Sequence, residues 1–476
     1  MPYVKTGGLA DVAGALPVAL TELGVRVKLF MPLYDRIRVF DHGFVHADDL
    51  GECTTEIGGE TIPFHVWYGH LPGSDVEVHL IDCPRYFHRG SIYTESPDEV
   101  RRFVLLQRAA FHVMQRYNWA PDVIHANDWQ AGLMPSLLRH AFSWDRLFQG
   151  TASVLSIHNI GYQGWTSPHL AYESGLPGHM VAPGGPYESN GALSCLKAGI
   201  SEADMVSTVS PTYAQEIQTP RFGEGLDDLL RQRAGDLRGI LNGIDTKAWD
   251  PANDPLVPHA FSATKLTGKA LNRTALLSEF GLSAPDEVPV FGIVSRLASQ
   301  KGFDMLSAVL DDVLRRADFR LVVLGSGDPG LEGWFRHMTR LYADRIAVHI
   351  GYDEGLSHRI EAGSDVFLMP SHYEPCGLNQ MYSMRYGTLP LVHHTGGLAD
   401  TVVDLDADPK RGNGFSFWDA RPPVLADTMI RAVDSFADRK RWQAAMRRGM
   451  KTDFSWEHAA RAYMDLYSEA IGRHRQ

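Results

Sequence analysis

The sequence predicts an α/β protein made of two doubly wound domains, and three observations predict it. Short β-branched runs alternate with helix-length segments along the whole chain, the pattern of a mostly parallel sheet covered by helices on both faces. The 476 residues, 44% hydrophobic and 21% charged, exceed what one hydrophobic core usually organises. The segment 250–259, Asp-Pro-Ala-Asn-Asp-Pro-Leu-Val-Pro-His, is dense in residues that interrupt regular structure, so it marks a seam between two large units.

In the first half, strands are expected at 25–30, 76–81, 123–125, 154–157 and 206–209. Beyond the seam the rhythm is regular: a strand at 290–294, a helix at 303–315, and strands at 320–324, 346–350 and 366–369. That order of elements reads as a second doubly wound domain.

Acidic residues outnumber basic ones 57 to 45, a formal charge of -12, which argues against a nucleic-acid footprint or a polybasic membrane surface. An anionic substrate then needs a local cluster of cations. The four cysteines, Cys53, Cys83, Cys195 and Cys376, lack metal-ligand spacing and fit a reducing cytoplasm. The first residues lack the pattern of a signal peptide, and no apolar run approaches the length of a membrane span, so a soluble chain is expected.

The hexapeptide Thr-Gly-Gly-Leu-Ala-Asp occurs at 6–11 and again at 395–400, once in each expected domain. Each copy is expected to open a helix, where unpaired backbone N–H groups and the helix dipole favour an anion. Taken singly, a Gly-Gly pair is more often a plain helix-opening turn. Lys5 immediately precedes the first copy and adds an ammonium to it. A second basic pair, Arg296 and Lys301, lies in Ser-Arg-Leu-Ala-Ser-Gln-Lys-Gly at 295–302, directly after an expected strand. Cations fixed at a strand's carboxyl end can meet the charge that a departing nucleoside diphosphate gains, without a metal. Gly325-Ser326-Gly327-Asp328 also follows a strand but is weak as a bare motif.

His158 and Asn159 follow the run 154–157, and a histidine there can hydrogen-bond sugar hydroxyls or simply tie down its own loop. His125-Ala126-Asn127-Asp128-Trp129 repeats the arrangement one strand earlier, with a carboxylate and an aromatic face suited to a carbohydrate. The densest constellation is Tyr373-Glu374-Pro375-Cys376-Gly377-Leu378-Asn379-Gln380, between a strand and a helix starting near Asn379. Glu374 is the leading acidic candidate there, and Gly377 and Leu378 can present backbone N–H groups to phosphate. The carboxylates Asp404, Asp406 and Asp408 are followed by Pro409, Lys410 and Arg411, so a solvated charged loop is expected rather than a metal site. No metal and no cofactor are expected.

Together, Lys-Thr-Gly-Gly-Leu-Ala-Asp at 5–11, His-Asn at 158–159, Ser-Arg-Leu-x-x-Gln-Lys-Gly at 295–302, Glu-Pro-Cys-Gly-Leu at 374–378 and the second Thr-Gly-Gly-Leu-Ala-Asp resemble the bacterial glycogen synthases and plant starch synthases. The likeness runs over essentially the whole chain. It implies a GT-B type fold, two facing doubly wound (Rossmann-like) domains with an interdomain cleft, and a retaining hexosyltransferase. The implied reaction moves glucose from ADP-glucose to the non-reducing end of a glycogen or α-1,4-glucan acceptor. The resemblance divides the chain into an acceptor-side domain at 1–245, a nucleotide-sugar domain at 246–454, and a helix at 455–476 crossing back to the first. Family members carry a strand ahead of the Lys-Thr-Gly-Gly loop, so the first domain is expected to lack its first strand.

By the same resemblance Lys5, Arg296 and Lys301 meet the diphosphate, with Gly7 and Gly8 approaching it through backbone. His158 and Glu374 serve the glucosyl group, and Asp11 and Asp128 shape the donor or acceptor site. Asn242, Cys376, Gly377, Leu378, Thr395 and Gly396 complete the substrate-binding set. Retention by double displacement through a carboxylate and by same-face departure and attack are both open, and the second is favoured. A glucan phosphorylase needs a recognisable lysine context for pyridoxal phosphate, and a dehydrogenase needs G-x-G-x-x-G after a strand; neither is present. The alternatives that remain are a non-catalytic glucan-binding or regulatory homologue and a truncated inactive fragment.

Overall fold

The computed structural model describes residues 3–4 and 7–475. The chain forms two compact units: Met1–Gly243 together with Trp456–Gln476, and Ile244–Ser455.

The described residues of the first unit form three sheets. β1 (Lys28–Pro32), β2 (Val45–His46), β3 (Cys53–Ile57), β4 (Glu60–His70) and β5 (Glu77–Asp82) form one of five strands, ordered β1-β5-β4-β2 with β3 on β4. β6 (Val123–Asn127), β7 (Ala152–Ile157), β11 (Met205–Thr208) and β12 (Leu237–Gly239) form a parallel sheet ordered β12-β11-β7-β6. Between β7 and β11, the short strands β8 (Trp165–Thr166), β9 (Glu188–Ser189) and β10 (Ala192–Ser194) make a small antiparallel sheet.

Every residue of β7 is buried, as a strand covered on both faces of a parallel sheet requires. The expected strand at 25–30 is found at 28–32, because Val25 and Val27 pack into the helical core before the chain turns into the sheet. The antiparallel pairing of β2, β3 and β4 departs from the mostly parallel expectation. Gly58 and Gly59, with φ of 62° and 76°, form the two-residue turn that folds β3 back on β4, a geometry that favours glycine at both positions. The helix Trp456–His474 packs on the helix Gly8–Glu22 and on β7, placing Ala459, Ala460, Tyr463, Leu466 and Ala470 against Val12, Leu16, Ala19 and Leu20. Its apolar positions recur at helical spacing, so one face is covered and the other stays polar.

The second unit holds one six-stranded parallel sheet: β13 (Val290–Leu297), β14 (Arg320–Gly327), β15 (Ile346–Ile350), β16 (Val366–Met369), β17 (Leu389–His393) and β18 (Phe415–Phe417). Its order is β15-β14-β13-β16-β17-β18, which is the doubly wound order with the direction of winding reversed between β13 and β16. The helix Phe303–Arg316 buries Phe303, Leu306, Leu310, Val313 and Leu314 in the core on one face of this sheet, together with the helix Pro422–Ser435. Ahead of β13, Trp249 is stacked between His358 and Tyr382 at centroid distances of 3.7 and 3.8 Å. Buried Asp254 beside it accepts from His358 Nδ1 at 2.7 Å and from the Tyr386 hydroxyl at 2.5 Å. These contacts make the Pro- and Asp-rich stretch an ordered part of the second unit. No described helix is long and apolar enough to cross a membrane.

Candidate active site

Ligands of doubly wound sheets bind beyond the carboxyl ends of the strands at the point where the strand order reverses. In the second unit that point lies between β13 and β16. Glu374 follows β16, is buried, and its Oε2 receives the Lys301 ammonium at 2.6 Å and the Ser371 hydroxyl at 2.9 Å. Lys301 comes from the turn after β13, and that turn is docked onto the Glu374 loop by backbone. His372 N donates to Gln300 O at 2.9 Å, and the Gln300 amide donates to Tyr373 O at 3.2 Å. Gly302 makes the docking possible: its φ is 71°, and a Cβ there would collide with the Pro370 carbonyl. Arg296, at the end of β13, is exposed, and no described carboxylate pairs with it. The Asn379 amide donates to Val294 O at 2.6 Å and ties the helix Asn379–Arg385 to β13.

No described residue accepts a hydrogen bond from the N–H of Gly377 or Leu378, and both are partly exposed, so this turn keeps donors available as expected. The second Gly-Gly pair differs from its expectation as an open anion cradle. Gly396 and Gly397 are buried, Gly397 N donates to Glu374 O and Pro375 O at 3.2 Å, and a Cβ at either glycine would strike the carbonyls of Glu374 or Cys376. The glycines here permit close backbone packing against the Glu374 loop. Thr395 occupies the N-cap position of the helix Gly396–Thr401 without a side-chain capping bond and is buried, and Cys376 is buried beneath the turn.

The first pair is open: a Cβ at Gly7 or Gly8 would meet no described atom within 4 Å. Gly8 opens the helix Gly8–Glu22, whose first turn carries Asp11. Lys5 and Thr6 lie outside the described residues. Asn242 is buried with no described partner for its Oδ1.

In the first unit, the neighbouring strands β6 and β7 bring Asn127, Asp128 and His158 together at their carboxyl ends. Asn127 Oδ1 lies 2.8 Å from His158 Nε2, so Nε2–H is the donor and Nδ1 is left as the acceptor. Burial holds the His158 imidazole down to about 4, so the ring is neutral near pH 7. Asp128 Oδ1 accepts from the backbone N–H of His158 at 2.7 Å and, more loosely, from that of Asn159 at 3.4 Å. Burial pushes the Asp128 carboxyl up to about 7 against the pull of those two donors. Its backbone, at φ 54° and ψ −168°, occupies a region populated almost only by glycine, a strain that persists where the surroundings over-determine it.

Three expectations are corrected here. His125 does not offer a free ring edge to a sugar: its Nδ1 meets the Tyr467 hydroxyl at 2.9 Å and its Nε2 the Ser156 hydroxyl at 2.6 Å, which ties the helix Trp456–His474 to the sheet. One face of Trp129 is covered by Gly164, where a Cβ would strike the indole, so the ring supports the His158 loop. The 404–408 loop is also more structured than a solvated turn. Asp404 is paired through both oxygens with Arg431 at 2.9 Å and accepts from Ser416 N at 2.8 Å, while Asp406 meets Arg431 and Arg441. Leu405 between them belongs to the core, which pulls the loop inward. No group of three or more potential metal ligands occurs among the described residues. Sequence reasoning missed the roles of Asn127 and Asn379, whose partners lie 31 and 85 positions away, and of Ser371, which sits just outside the 373–380 motif and reaches Glu374 three residues on.

Residues 1–232 match the starch synthase catalytic domain family, and residues 278–449 match the glycosyl transferases group 1 family. A glycogen synthase of Anaeromyxobacter dehalogenans is 47% identical over 98% of this chain and 96% of its own length. The chain belongs to the glycogen synthase family. Another glycogen synthase, from Dechloromonas aromatica, is 44% identical over 99% of this chain and 96% of its own. The catalytic domain of starch synthase IV from Arabidopsis thaliana, solved bound to ADP and acarbose, superposes with a TM-score of 0.89 at 34% identity, covering 99% of this chain and 97% of that one. Sucrose-phosphate synthase from Thermosynechococcus elongatus, at 19% identity and a TM-score of 0.59, shares the fold. The fold is the GT-B glycosyltransferase fold, and a chain of the glycogen synthase family is a hexosyltransferase.

Proposed function

We propose that the chain transfers glucose from ADP-glucose to the non-reducing end of an α-1,4-glucan such as glycogen, with retention of configuration, in the cytoplasm. The observation that carries this reading is the Lys301–Glu374–Ser371 cluster at the reversal point of a doubly wound sheet, in a chain of this family. An ammonium has three donors. One is given to Glu374, which leaves two for a diphosphate, and Arg296, paired with no described carboxylate, supplies a second cation. Both would meet the negative charge that grows on ADP as the glycosidic bond breaks, together with the N–H groups of Gly377 and Leu378. Gly7, Gly8 and Lys5 would also serve phosphate binding. Cys376, Thr395 and Gly396 would shape the pocket behind the turn, and Asn242 and Asp11 would complete the substrate-binding set.

His158 Nδ1, held as an acceptor by Asn127, would take a hydrogen bond from a glucosyl hydroxyl. Asp128 would hold the His158 loop in position through its backbone contacts. Glu374 has its charge offset by Lys301 and its Oε2 doubly hydrogen-bonded, which weakens it as a nucleophile and favours a role in orienting the sugar. That supports same-face departure and attack, in which the leaving phosphate removes the proton from the acceptor hydroxyl as the new glycosidic bond forms.

The test follows ADP release and glucan extension with ADP-glucose and glycogen, with the anomeric configuration of the product read by proton NMR. Glucosyl transfer giving an α-1,4 linkage supports the reading. Glycogen binding without transfer from ADP-glucose or UDP-glucose would overturn it in favour of a non-catalytic homologue.

A further inference from the structure

Trp418 stands immediately after β18 and His394 immediately after β17, and the two rings are stacked with centroids 3.6 Å apart and planes inclined at 29°. The pair is held by backbone, since His394 N donates to Phe417 O at 2.8 Å. Beneath the indole, His394 Nδ1 is shut off from solvent without a described partner, and burial lowers its imidazole below the usual range. Stacking and the backbone bond thus hold the two rings together. Trp418 is nevertheless 75% exposed, so a large aromatic face is spread on water rather than covered. Lone exposed hydrophobic residues are common, but this one is built onto a strand end and supported by a second ring.

Its position is functional by topology. His394 directly precedes Thr395 and Gly396, and His393 beside it holds Ser371 O at 2.9 Å from Nδ1, with Ser371 in turn bound to Glu374. The platform thus stands on the carboxyl edge of the sheet that carries the Glu374 cluster. Polar groups lie near it: Asp400 acts on His394 through its charge, and the Asp419–Arg421 pair follows Trp418 in sequence. Carboxylates and guanidinium groups beside an aromatic face can hydrogen-bond the hydroxyl groups of a sugar.

We propose that Trp418, backed by His394, is a sugar-binding platform that takes a glucosyl unit of the α-glucan by stacking against its C–H face. The inference rests on the glucan being the acceptor, as proposed above. Its role is to hold the polymer, so it acts on the acceptor and leaves the donor to Arg296 and Lys301.

The experiment compares the full chain with W418A, W418F and H394A, measuring KM for maltoheptaose and for ADP-glucose, kcat, and maltoheptaose binding by calorimetry without ADP-glucose. W418A is expected to raise the KM and Kd for maltoheptaose about tenfold, with donor KM and kcat close to wild type, because one aromatic contact contributes on that scale. W418F is expected to recover most of the loss, and H394A to weaken binding less than W418A. Unchanged maltoheptaose binding in W418A would overturn the proposal, as would a rise confined to the KM for ADP-glucose, which would assign the ring to the nucleotide. If the wild-type chain transfers no glucose, the proposed reaction fails, and the calorimetry still decides the platform.

Discussion

The Lys301 ammonium lies 2.6 Å from Glu374 Oε2, although the two residues come from different strand ends and are 73 positions apart in sequence. Their juxtaposition depends on Gly302, and it links a cation suited to phosphate with a carboxylate suited to sugar hydroxyls. Removing the ammonium leaves a buried carboxylate without its counter-ion, a change that costs about 3–5 kcal/mol in comparable sites. K301M is therefore expected to lower both Tm and kcat, with kcat falling about 10²–10³-fold through lost stabilisation of the leaving group. The double variant K301M/E374Q should regain Tm relative to K301M while staying inactive. Thermal melts and turnover on the four corners of this cycle check the coupling.

Asp128 couples a strained backbone to a useful carboxylate, and substitutions separate the two. D128G removes both the side chain and the strain, so it is expected to be about 1–3 kcal/mol more stable than D128A. Both should lose glucosyl transfer equally, because both release the His158 backbone. Denaturant unfolding and an ADP-release assay decide this.

The pH dependence of stability has opposite signs at Asp128 and at the buried histidines. Burial raises Asp128 from an ordinary 3.8 to about 7, so the folded state binds that proton more tightly, and the stability it contributes is lost as pH rises from 3.8 to 7. D128N should then gain on the wild type in Tm between pH 4 and pH 8. His79, His125 and His158 are lowered to about 4, 3 and 4 from an ordinary 6.5, so their share of stability is full above pH 6.5 and declines as pH falls toward 4.

His79 isolates that second effect. Both its ring nitrogens are buried with no described group at hydrogen-bond distance, Nε2 lies 3.6 Å from Glu77 Oε2, its ring stacks on Phe30, and Glu77 and Lys28 are the charged groups acting on it. H79F is expected to keep the stack, remove the unsatisfied nitrogens and flatten the fall in Tm between pH 7 and pH 5. A pH slope identical to the wild type would count against it.

The two Gly-Gly pairs should respond differently to alanine. G396A forces a Cβ into the Glu374 carbonyl at φ 46°, so Tm and activity are expected to fall together. G8A meets no described atom and should leave Tm near wild type, while raising the KM for ADP-glucose if the loop takes the diphosphate as proposed. Melts and donor titrations of the two variants separate packing from ligand approach.

Much of this fold is legible in the sequence because its parallel strands are buried on both faces and read as unbroken apolar runs. The expected strands at 290–294, 320–324, 346–350 and 366–369 fall inside or coincide with β13 to β16. The antiparallel part was missed although its signal is present: Gly58-Gly59 sits between two alternating stretches, Cys53–Ile57 and Glu60–His70, as a hairpin does. At the candidate site, single motifs name Glu374, Lys301 and His158, but only coordinates reveal that Ser371 and Asn127 bind them. Identical hexapeptides also turned out to serve different packing, because what a glycine admits depends on which backbone lies opposite.

The helix Trp456–His474 completes the first unit although the whole second unit precedes it in the chain. A ribosome releases residues in order, and domains usually fold as they emerge. Here the later unit is contiguous and free to fold first, while the earlier one waits with Val12, Leu16 and Leu20 uncovered until its closing helix leaves the exit tunnel. The order in which the two units can be completed is thus the reverse of the order in which they begin along the chain.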